Sequence, residues 1–167
     1  MVSKYNYQVN SLTFEIKEIT DWQVKAQICN TVLRNLPHWF GIEEATLNYI
    51  EKSKGLPFFA AYQRETPIGF VYLYNHNEYT CEIYCMGILQ RHHRKGIGKM
   101  LIAAAEEHCR KKGIKFLTVK TLADTHADEG YKKTRQFYLS VGFLPLEIFP
   151  DLWGEKNPCL FLVKNIL

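Results

Sequence analysis

Residues 80 to 112 read Thr80-Cys-Glu-Ile-Tyr-Cys-Met-Gly-Ile88, then Leu89-Gln-Arg-His-His-Arg-Lys-Gly-Ile-Gly98, then Lys99-Met-Leu-Ile-Ala-Ala-Ala-Glu-Glu-His-Cys-Arg-Lys-Lys112. These three segments predict a strand, a basic glycine turn and a helix. The helix is indicated by basic residues in its last turn, by Gly113 as a C-terminal cap and by apolar residues at helical spacing, which are Ile97, Leu101, Ala104, Ala105 and Cys109. The rest of the chain can be placed around this unit.

The turn carries an unusual charge for the start of a helix. Residues 91–99, which we call the cationic turn, hold two arginines, two histidines and two lysines and no acid. A helix start normally favours Ser, Thr, Asp or Asn and acidic residues, because the helix dipole is positive there. Gly96 and Gly98 leave backbone N–H groups uncovered, so a diphosphate could bind these amides with cations around it. A solvated basic turn is the alternative.

Two other glycine-loop motifs fit this turn poorly. A dinucleotide-binding fingerprint requires a third glycine where Leu101 stands. A P-loop requires a glycine where His93 stands, and Ser or Thr where Met100 stands. The turn therefore does not match either of these motifs.

Six residues of the turn, His93-Arg-Lys-Gly-Ile-Gly98, resemble the signature of the GNAT superfamily of acetyl-CoA-dependent N-acyltransferases. That signature is Gln or Arg, two residues, Gly, one residue, and Gly or Ala, so His93 stands in the position of the Gln or Arg. The resemblance continues in Phe137-Tyr138 and Gly142-Phe143, and it spans roughly residues 58 to 163.

The resemblance implies an α/β fold with a GNAT-like mixed, mainly antiparallel central sheet, about four helices and a splayed parallel strand pair. It implies acetyl-CoA as co-substrate and no metal. The diphosphate-binding residues that it implies are His93, Arg94, Lys95, Gly96, Ile97, Gly98 and Lys99, and the backbone groups for the pantetheine arm are those of Met86, Gly87 and Ile88. Gly87 agrees with this, since a glycine inside a strand often marks a close backbone approach; a simple bulge is the alternative.

Length and composition indicate a single domain, residues 1–167, with enough apolar residues (47%) for a proper core. No apolar run approaches the roughly 20 residues that span a bilayer, so we expect a soluble cytoplasmic protein without a membrane partner. Five scattered cysteines indicate reduced thiols rather than a disulfide framework. The net charge of +4 equals the charge of the four Lys and Arg residues of the cationic turn, which favours an anion pocket over a nucleic-acid partner.

The remaining pattern alternates strands and helices. It predicts strands over residues 12–18, 58–63, 68–74, 82–88, 116–121, 143–148 and 159–163, helices over 20–37, 43–54 and 131–141, a hairpin turn over 64–67 and a loop over 122–130. Trp39 and Phe40, between the first two helices, could line a substrate pocket or pack within a loop.

Acyl transfer to an amine needs a base for the amine and an acid for the departing thiolate. The resemblance implies Tyr138 as the acid, because superfamily members often place this tyrosine near the thioester sulfur; packing on a helix face is the alternative. It also implies Glu82 as the base, because Glu82 stands six residues before Ile88, as in the histone-modifying branch. An outward-facing strand residue is the alternative, with His76, His126 and Glu78 as weaker substitutes.

A zinc site is rejected, because strand geometry separates Cys81 from Cys85 by about 13 Å. Cys85 could act as a covalent nucleophile, but direct attack in a ternary complex is preferred. We therefore expect an N-acetyltransferase that acts on a primary amine of a small molecule. The alternatives are a non-catalytic acyl-CoA-binding regulatory module, a peptide N-acetyltransferase and a nucleic-acid-binding module. A homodimer is possible, since dimers are common among similar proteins.

Overall fold

The computed structural model describes residues 5–9 and 12–167. Within them are eight strands and four α-helices. In chain order they are β1 (Tyr5–Val9), β2 (Leu12–Ile19), α1 (Trp22–Arg34), α2 (Glu43–Ser53), β3 (Phe58–Gln63), β4 (Thr66–Asn75), β5 (Thr80–Ile88), α3 (Ile97–Lys111), β6 (Phe116–Leu122), α4 (Glu129–Ser140), β7 (Leu144–Phe149) and β8 (Cys159–Asn165). None of the described helices is long and apolar enough to cross a membrane.

The chain divides into two compact units. The first contains the chain up to Tyr74 and residues Cys85–Glu107, and the second contains Asn75–Tyr84 and His108–Leu167. Strand β5 and helix α3 contribute residues to both units. The single-domain organisation stays a prediction.

The first unit is an antiparallel sheet in the order β1-β2-β3-β4, followed by the end of β5. The register pairs Ile16 with Ala61 and Ala60 with Phe70. Its interior holds three nearly parallel rings, those of Phe58, Phe70 and Tyr72, whose centroids lie 5.2 to 6.1 Å apart. Because these side chains are fully buried, they form much of the hydrophobic core of this unit.

Helices α1 and α2 agree with the predicted positions. Asp21 caps α1, since its side chain accepts hydrogen bonds from the backbone N–H groups of Gln23 and Val24 at 2.8 and 3.0 Å. The buried side of α2 is formed by Thr46 and Ser53, whose hydroxyls donate to nearby backbone carbonyls. Leu47, an apolar residue of the predicted helix, is 52% exposed.

In the second unit the strands run in the order β5-β6-β8-β7. Strands β5 and β6 are parallel, and the other pairs are antiparallel. The parallel register begins at Thr80 with Phe116 and ends at Ile83 with Val119, although β5 continues to Ile88. The parallel register thus covers the first four residues of each strand. The predicted mixed, mainly antiparallel α/β sheet with a parallel pair and four helices is confirmed.

Three local predictions were incomplete. The turn between β3 and β4 contains only Arg64 and Glu65, because Arg64 adopts φ 55° and reverses the chain at once. Helix α4 begins at Glu129, inside the predicted loop, because the Asp128 side chain accepts from the N–H of Tyr131 at 2.9 Å and caps the helix. Strand β1 was not predicted.

The contact between β4 and the end of β5 gives a prediction on stability. A Cβ at Gly69 would lie 2.9 Å from the carbonyl oxygen of Gly87, a backbone atom that cannot move aside easily. Gly69→Ala should therefore lower the free energy of unfolding by about 1–3 kcal/mol, as measured by urea denaturation. Gly55→Ala is the control, since a Cβ there meets nothing within 4 Å. Equal stabilities of the two variants would contradict this packing.

Candidate active site

The cationic turn connects β5 to α3 in the first unit. A short 3₁₀ turn, Gln90–His92, follows β5, and the first turn of α3 contains no acidic residue. Ile97, Gly98 and Met100 are buried, whereas Arg91, His93, Arg94 and Lys99 are exposed. The chain thus fixes the start of α3 through its apolar residues and leaves most of the charges at the surface. The first N–H groups of a helix have no partner within it and can bind an anion.

The backbone of the turn contains two residues in the left-handed region. Arg94 has φ 63° and Gly96 has φ 81°. A Cβ at Gly96 would meet nothing within 4 Å, so this position requires glycine for its conformation and not for space. Left-handed residues next to ordinary ones turn successive N–H groups toward one point and create an anion-binding concavity. For Arg94 that conformation is uncommon, and such strain is concentrated at functional sites.

His93 connects the cationic turn to the strand before it. Its Nε2 lies 2.7 Å from the carbonyl oxygen of Ile88, so Nε2–H donates to that carbonyl. The edge of Trp39 packs on the His93 ring at 5.9 Å. The residue in the Gln or Arg position of the family signature therefore holds the end of β5 in place. Trp39 packs on this histidine, and the neighbouring Phe40 packs on Tyr49.

His92 is the buried member of the turn. Arg91 Nε donates to His92 Nε2 at 3.2 Å, and the buried Nδ1 has no hydrogen-bond partner among the described residues. The ring packs edge-on against Phe14. Burial lowers the pKa of His92, and the nearby Lys95, Arg91 and His93 lower it further. His92 is therefore neutral at pH 7 and belongs to the core beneath the turn.

Gly87, one of the three predicted pantetheine-binding residues, lies against α1. A Cβ there would be 3.0 Å from Val32 Cγ1 and 3.4 Å from atoms of Leu36 and Phe70. Packing alone therefore explains the glycine. Met86 and Ile88 flank it on β5, half-buried. The Ile88 carbonyl already accepts a hydrogen bond from the His93 ring.

Glu82 lies in the second unit and is 5% exposed. Its carboxylate accepts hydrogen bonds from Lys120 Nζ at 2.9 and 2.8 Å. His76 Nε2 lies 2.6 Å from Glu82 Oε2, and the His76 side chain is 37% exposed. We call these three residues the Glu82 cluster. A buried carboxylate requires such partners, because an isolated charge in the interior would cost several kcal/mol.

Lys120 was not predicted as a site residue from the sequence, and His76 was predicted only in a secondary role. The available signal was the lysine itself, which interrupts the apolar run Phe116-Leu-Thr-Val-Lys-Thr-Leu122. A lysine inside a buried strand implies a carboxylate partner. Lys120 Nζ also lies 5.4 Å from the centroid of the Phe161 ring, so an aromatic face and a carboxylate share its charge.

Tyr138 is 7% exposed and packs against Phe143, with a centroid distance of 5.5 Å in an edge-on arrangement. It also contacts Phe137. The helix that carries it ends at Ser140, and the N–H of Phe143 donates to the Tyr138 carbonyl at 3.1 Å. The aromatic contacts hold the Tyr138 ring in one position. Its role as an acid stays a prediction.

The cysteines are buried free thiols. Burial raises the pKa of Cys85 well above its usual value, with Cys29 adding to the effect. A thiol that resists ionisation is a poor nucleophile, which favours direct attack on the thioester. Cys81 lies beside Cys109 in the second unit. Among residues 5–9 and 12–167, no three His, Cys, Asp or Glu side chains are grouped to hold a metal ion.

A family model described as the acetyltransferase (GNAT) family matches residues 18–143. This chain belongs to that family. It is a GNAT-type N-acetyltransferase, and acetyl-CoA is its co-substrate, as the sequence predicted. Comparison with curated protein sequences gave no match.

Solved structures with the same fold agree with the family model. A protein described as an acetyltransferase of the GNAT family from Desulfovibrio desulfuricans has a TM-score of 0.77 at 16% identity, covering 92% of this chain and 99% of that one. Aminoglycoside 6'-acetyltransferase type Ii has a TM-score of 0.73 at 18% identity, covering 91% and 97%. An aminoglycoside 6'-N-acetyltransferase in complex with coenzyme A has a TM-score of 0.70 at 15% identity, covering 100% and 97%.

The buried His92 gives a prediction on pH dependence. Its folded pKa is lowered, so below about pH 6.5 the unfolded chain binds a proton that the folded chain does not, and stability falls as the pH falls. The variant His92→Gln keeps a group that can accept a hydrogen bond from Arg91. Its free energy of unfolding should fall less between pH 8 and pH 5 than that of the wild type. Urea denaturation at both pH values measures this difference. Parallel losses in the two proteins would show that His92 does not contribute.

Proposed function

We propose that the protein transfers the acetyl group of acetyl-CoA to a primary amine of a small molecule, by direct attack in a ternary complex. The observation that carries this proposal is the cationic turn at the start of α3. Its left-handed Arg94 and Gly96, its cations and its lack of acids match an anion with several oxygens. A solvated basic turn would not require the strained conformation of Arg94.

Within this proposal the turn holds the diphosphate of acetyl-CoA. Backbone N–H groups of residues 96–99 and the side chains of Arg94, Lys95 and Lys99 supply the donors. The His93 imidazole is already hydrogen-bonded to Ile88 and therefore acts by positioning the turn. Backbone groups of Met86, Gly87 and Ile88 are proposed to hold the pantetheine arm.

The acetyl donor supplies a thioester, and the chain must manage two protons. The amine nitrogen loses one proton as its bond to the acetyl carbon forms, and we assign that proton to Glu82, directly or through water. The sulfur gains one proton as the carbon–sulfur bond breaks, and we propose that the Tyr138 hydroxyl donates this proton. Since Tyr138 is fixed by its aromatic contacts, little reorganisation is needed at that position.

The Glu82 cluster provides a path for the proton taken from the amine. Glu82 is buried, but Oε2 is hydrogen-bonded to His76, whose ring is 37% exposed. A proton received by the carboxylate can therefore pass to solvent through the His76 imidazole. Lys120 keeps the carboxylate oriented through two hydrogen bonds.

The acceptor is proposed to be a small molecule. Two of the structural relatives are named for aminoglycosides, which are small molecules with several amines. We propose a cytoplasmic location, because five buried free thiols are stable in a reducing compartment.

Two arginines test the role of the turn. Arg94 and Arg64 are both exposed and both left-handed, with φ 63° and 55°. Glycine adopts this conformation without strain, so both Arg→Gly variants should stay folded. Arg94→Gly should weaken acetyl-CoA binding about five- to tenfold by removing a charged donor, whereas Arg64→Gly should leave it unchanged. Isothermal titration calorimetry measures both, and equal affinities of the two variants would refute the diphosphate site.

The chemistry is tested by release of free thiol from acetyl-CoA in the presence of aminoglycosides, polyamines, amino acids and peptides. Tyr138→Phe keeps the ring and removes the acid, so it should lower turnover by about 100-fold or more while acetyl-CoA affinity stays within twofold. Tyr131→Phe, on the same helix, is the control and should retain full turnover.

The outcomes separate the alternatives. Equal losses of turnover and affinity in Tyr138→Phe would refute its role as the acid. Faster turnover with peptides than with small amines would favour a peptide N-acetyltransferase. Acetyl-CoA binding without thiol release from any amine would favour a regulatory module.

A further inference from the structure

A primary amine of the protein itself lies beside the proposed base. Lys120 Nζ on β6 donates hydrogen bonds to both carboxylate oxygens of Glu82, at 2.9 and 2.8 Å. In the proposed reaction an acceptor amine must come within reach of the same carboxylate to lose its proton. Lys120 therefore already holds the position relative to Glu82 that a bound acceptor has to take, and it carries the same chemical group.

Lys120 lies where β6 continues beyond its register with β5. That register ends at Ile83 with Val119, and Lys120 is the next residue of β6. The Lys120 side chain is 25% exposed, whereas the Glu82 side chain is 6% exposed. The amine is thus held by a buried carboxylate while part of its own side chain faces solvent, so it is not sealed within the core.

A second nucleophile near the Glu82 cluster is less suited to accept an acetyl group. Cys159 at the start of β8 is fully buried. Burial raises the pKa of Cys159 to about 11, and the charges of Lys120 and Glu82 act on it in opposite directions. A thiol that resists ionisation is a poor nucleophile. The Lys120 amine is therefore the better placed of the two.

The covalent attachment of this amine favours its reaction. A group held in place reacts as if its concentration were far above that of a free amine in solution, because its translational freedom is already lost. The ion pair opposes the reaction, since Nζ must first give up a proton and its hydrogen bonds to Glu82. A bound acceptor would compete for the same carboxylate. Reaction at Lys120 is therefore expected when the acceptor is absent.

We propose that Lys120 is a self-acetylation site, which takes the acetyl group of acetyl-CoA when no acceptor is bound and thereby inactivates the enzyme. The inference rests on the proposed function, because it uses the same thioester and the same base. A bond forms between Nζ and the acetyl carbon, and the carbon–sulfur bond breaks. Of the two protons that the ammonium group loses, one passes to solvent through Glu82 and His76, and one ends on the sulfur of free coenzyme A.

Acetylation of Lys120 would remove the charge that compensates the burial of Glu82. An amide nitrogen keeps one N–H donor and no positive charge, whereas an ammonium group has three donors. Loss of one partner from a buried ion pair is strongly unfavourable for the charge that is left. The added methyl group would lie near Phe161, whose ring centroid is 5.4 Å from Nζ. Glu82 would no longer be oriented by two hydrogen bonds, so turnover should fall.

The first test compares the acetylation of two lysines by peptide mass spectrometry. Lys132 is the matched control, since it also pairs with a carboxylate, that of Glu129, but its side chain is 56% exposed. With acetyl-CoA alone, Lys120 should be acetylated faster than Lys132. Acetic anhydride, which needs no enzyme, should give the reverse order. Glu82→Gln should slow the acetylation of Lys120 by about 100-fold or more, because it removes the base, and leave that of Lys132 unchanged.

The second test follows activity. Wild-type protein incubated with acetyl-CoA should lose turnover in step with the fraction of Lys120 that is acetylated, and an amine that supports thiol release should protect it when present from the start. Lys120→Arg keeps a cation beside Glu82 and offers no primary amine. After the same incubation this variant should retain its own initial turnover.

The outcomes separate this inference from the proposed function. Thiol release with an added amine, while Lys120 is acetylated no faster than Lys132, would overturn self-acetylation and leave the proposed function intact. Faster acetylation of Lys120 without thiol release to any added amine would support self-acetylation and overturn transfer to a small amine. If neither reaction occurs, both fail. Full turnover of protein acetylated at Lys120 would overturn the self-inactivation.

Discussion

The close packing at the end of β5 is the constraint on which the rest of the first unit depends. Gly87 leaves room for Val32 of α1, and Gly69 of β4 leaves room for the Gly87 carbonyl. The Leu89 N–H donates to the Ile68 carbonyl at 2.9 Å, which ties the chain to β4 one residue after β5 ends. These contacts fix the point from which the cationic turn starts.

The second unit contains a buried ion pair between neighbouring strands. Glu82 on β5 and Lys120 on β6 form it, His76 binds the same carboxylate, and these partners compensate the burial of Glu82. Replacing such a cluster with apolar side chains is often neutral or favourable for stability, so stability does not require it. The buried carboxylate of Glu82 is linked to the surface by two partly exposed side chains, His76 and Lys120.

The sequence was sufficient for the family, the order of most elements and the position of the turn, because these follow from periodicity, caps and a short motif. The start of α4 was misplaced because a single aspartate, Asp128, converts the end of a polar segment into a helix. Lys120 was missed because its partner, Glu82, lies 38 residues away in the chain and becomes a neighbour only through the parallel pairing of β5 and β6. The role of His93 was also hidden, since nothing in its spacing shows that it binds the Ile88 carbonyl.

At three places the chain departs from the residue types or backbone conformations that its secondary structure would favour. Cations crowd a positive helix end, an arginine adopts a left-handed conformation and an ion pair sits inside a sheet. A sequence selected for stability alone would avoid each of them, because local and global preferences then agree. The first two coincide within the cationic turn, and the third lies on β5, the strand that leads into it. Under the proposed function, holding an anion would explain the first two together, and moving a proton would explain the third. The proposed acyl transfer would account for all three with a single reaction.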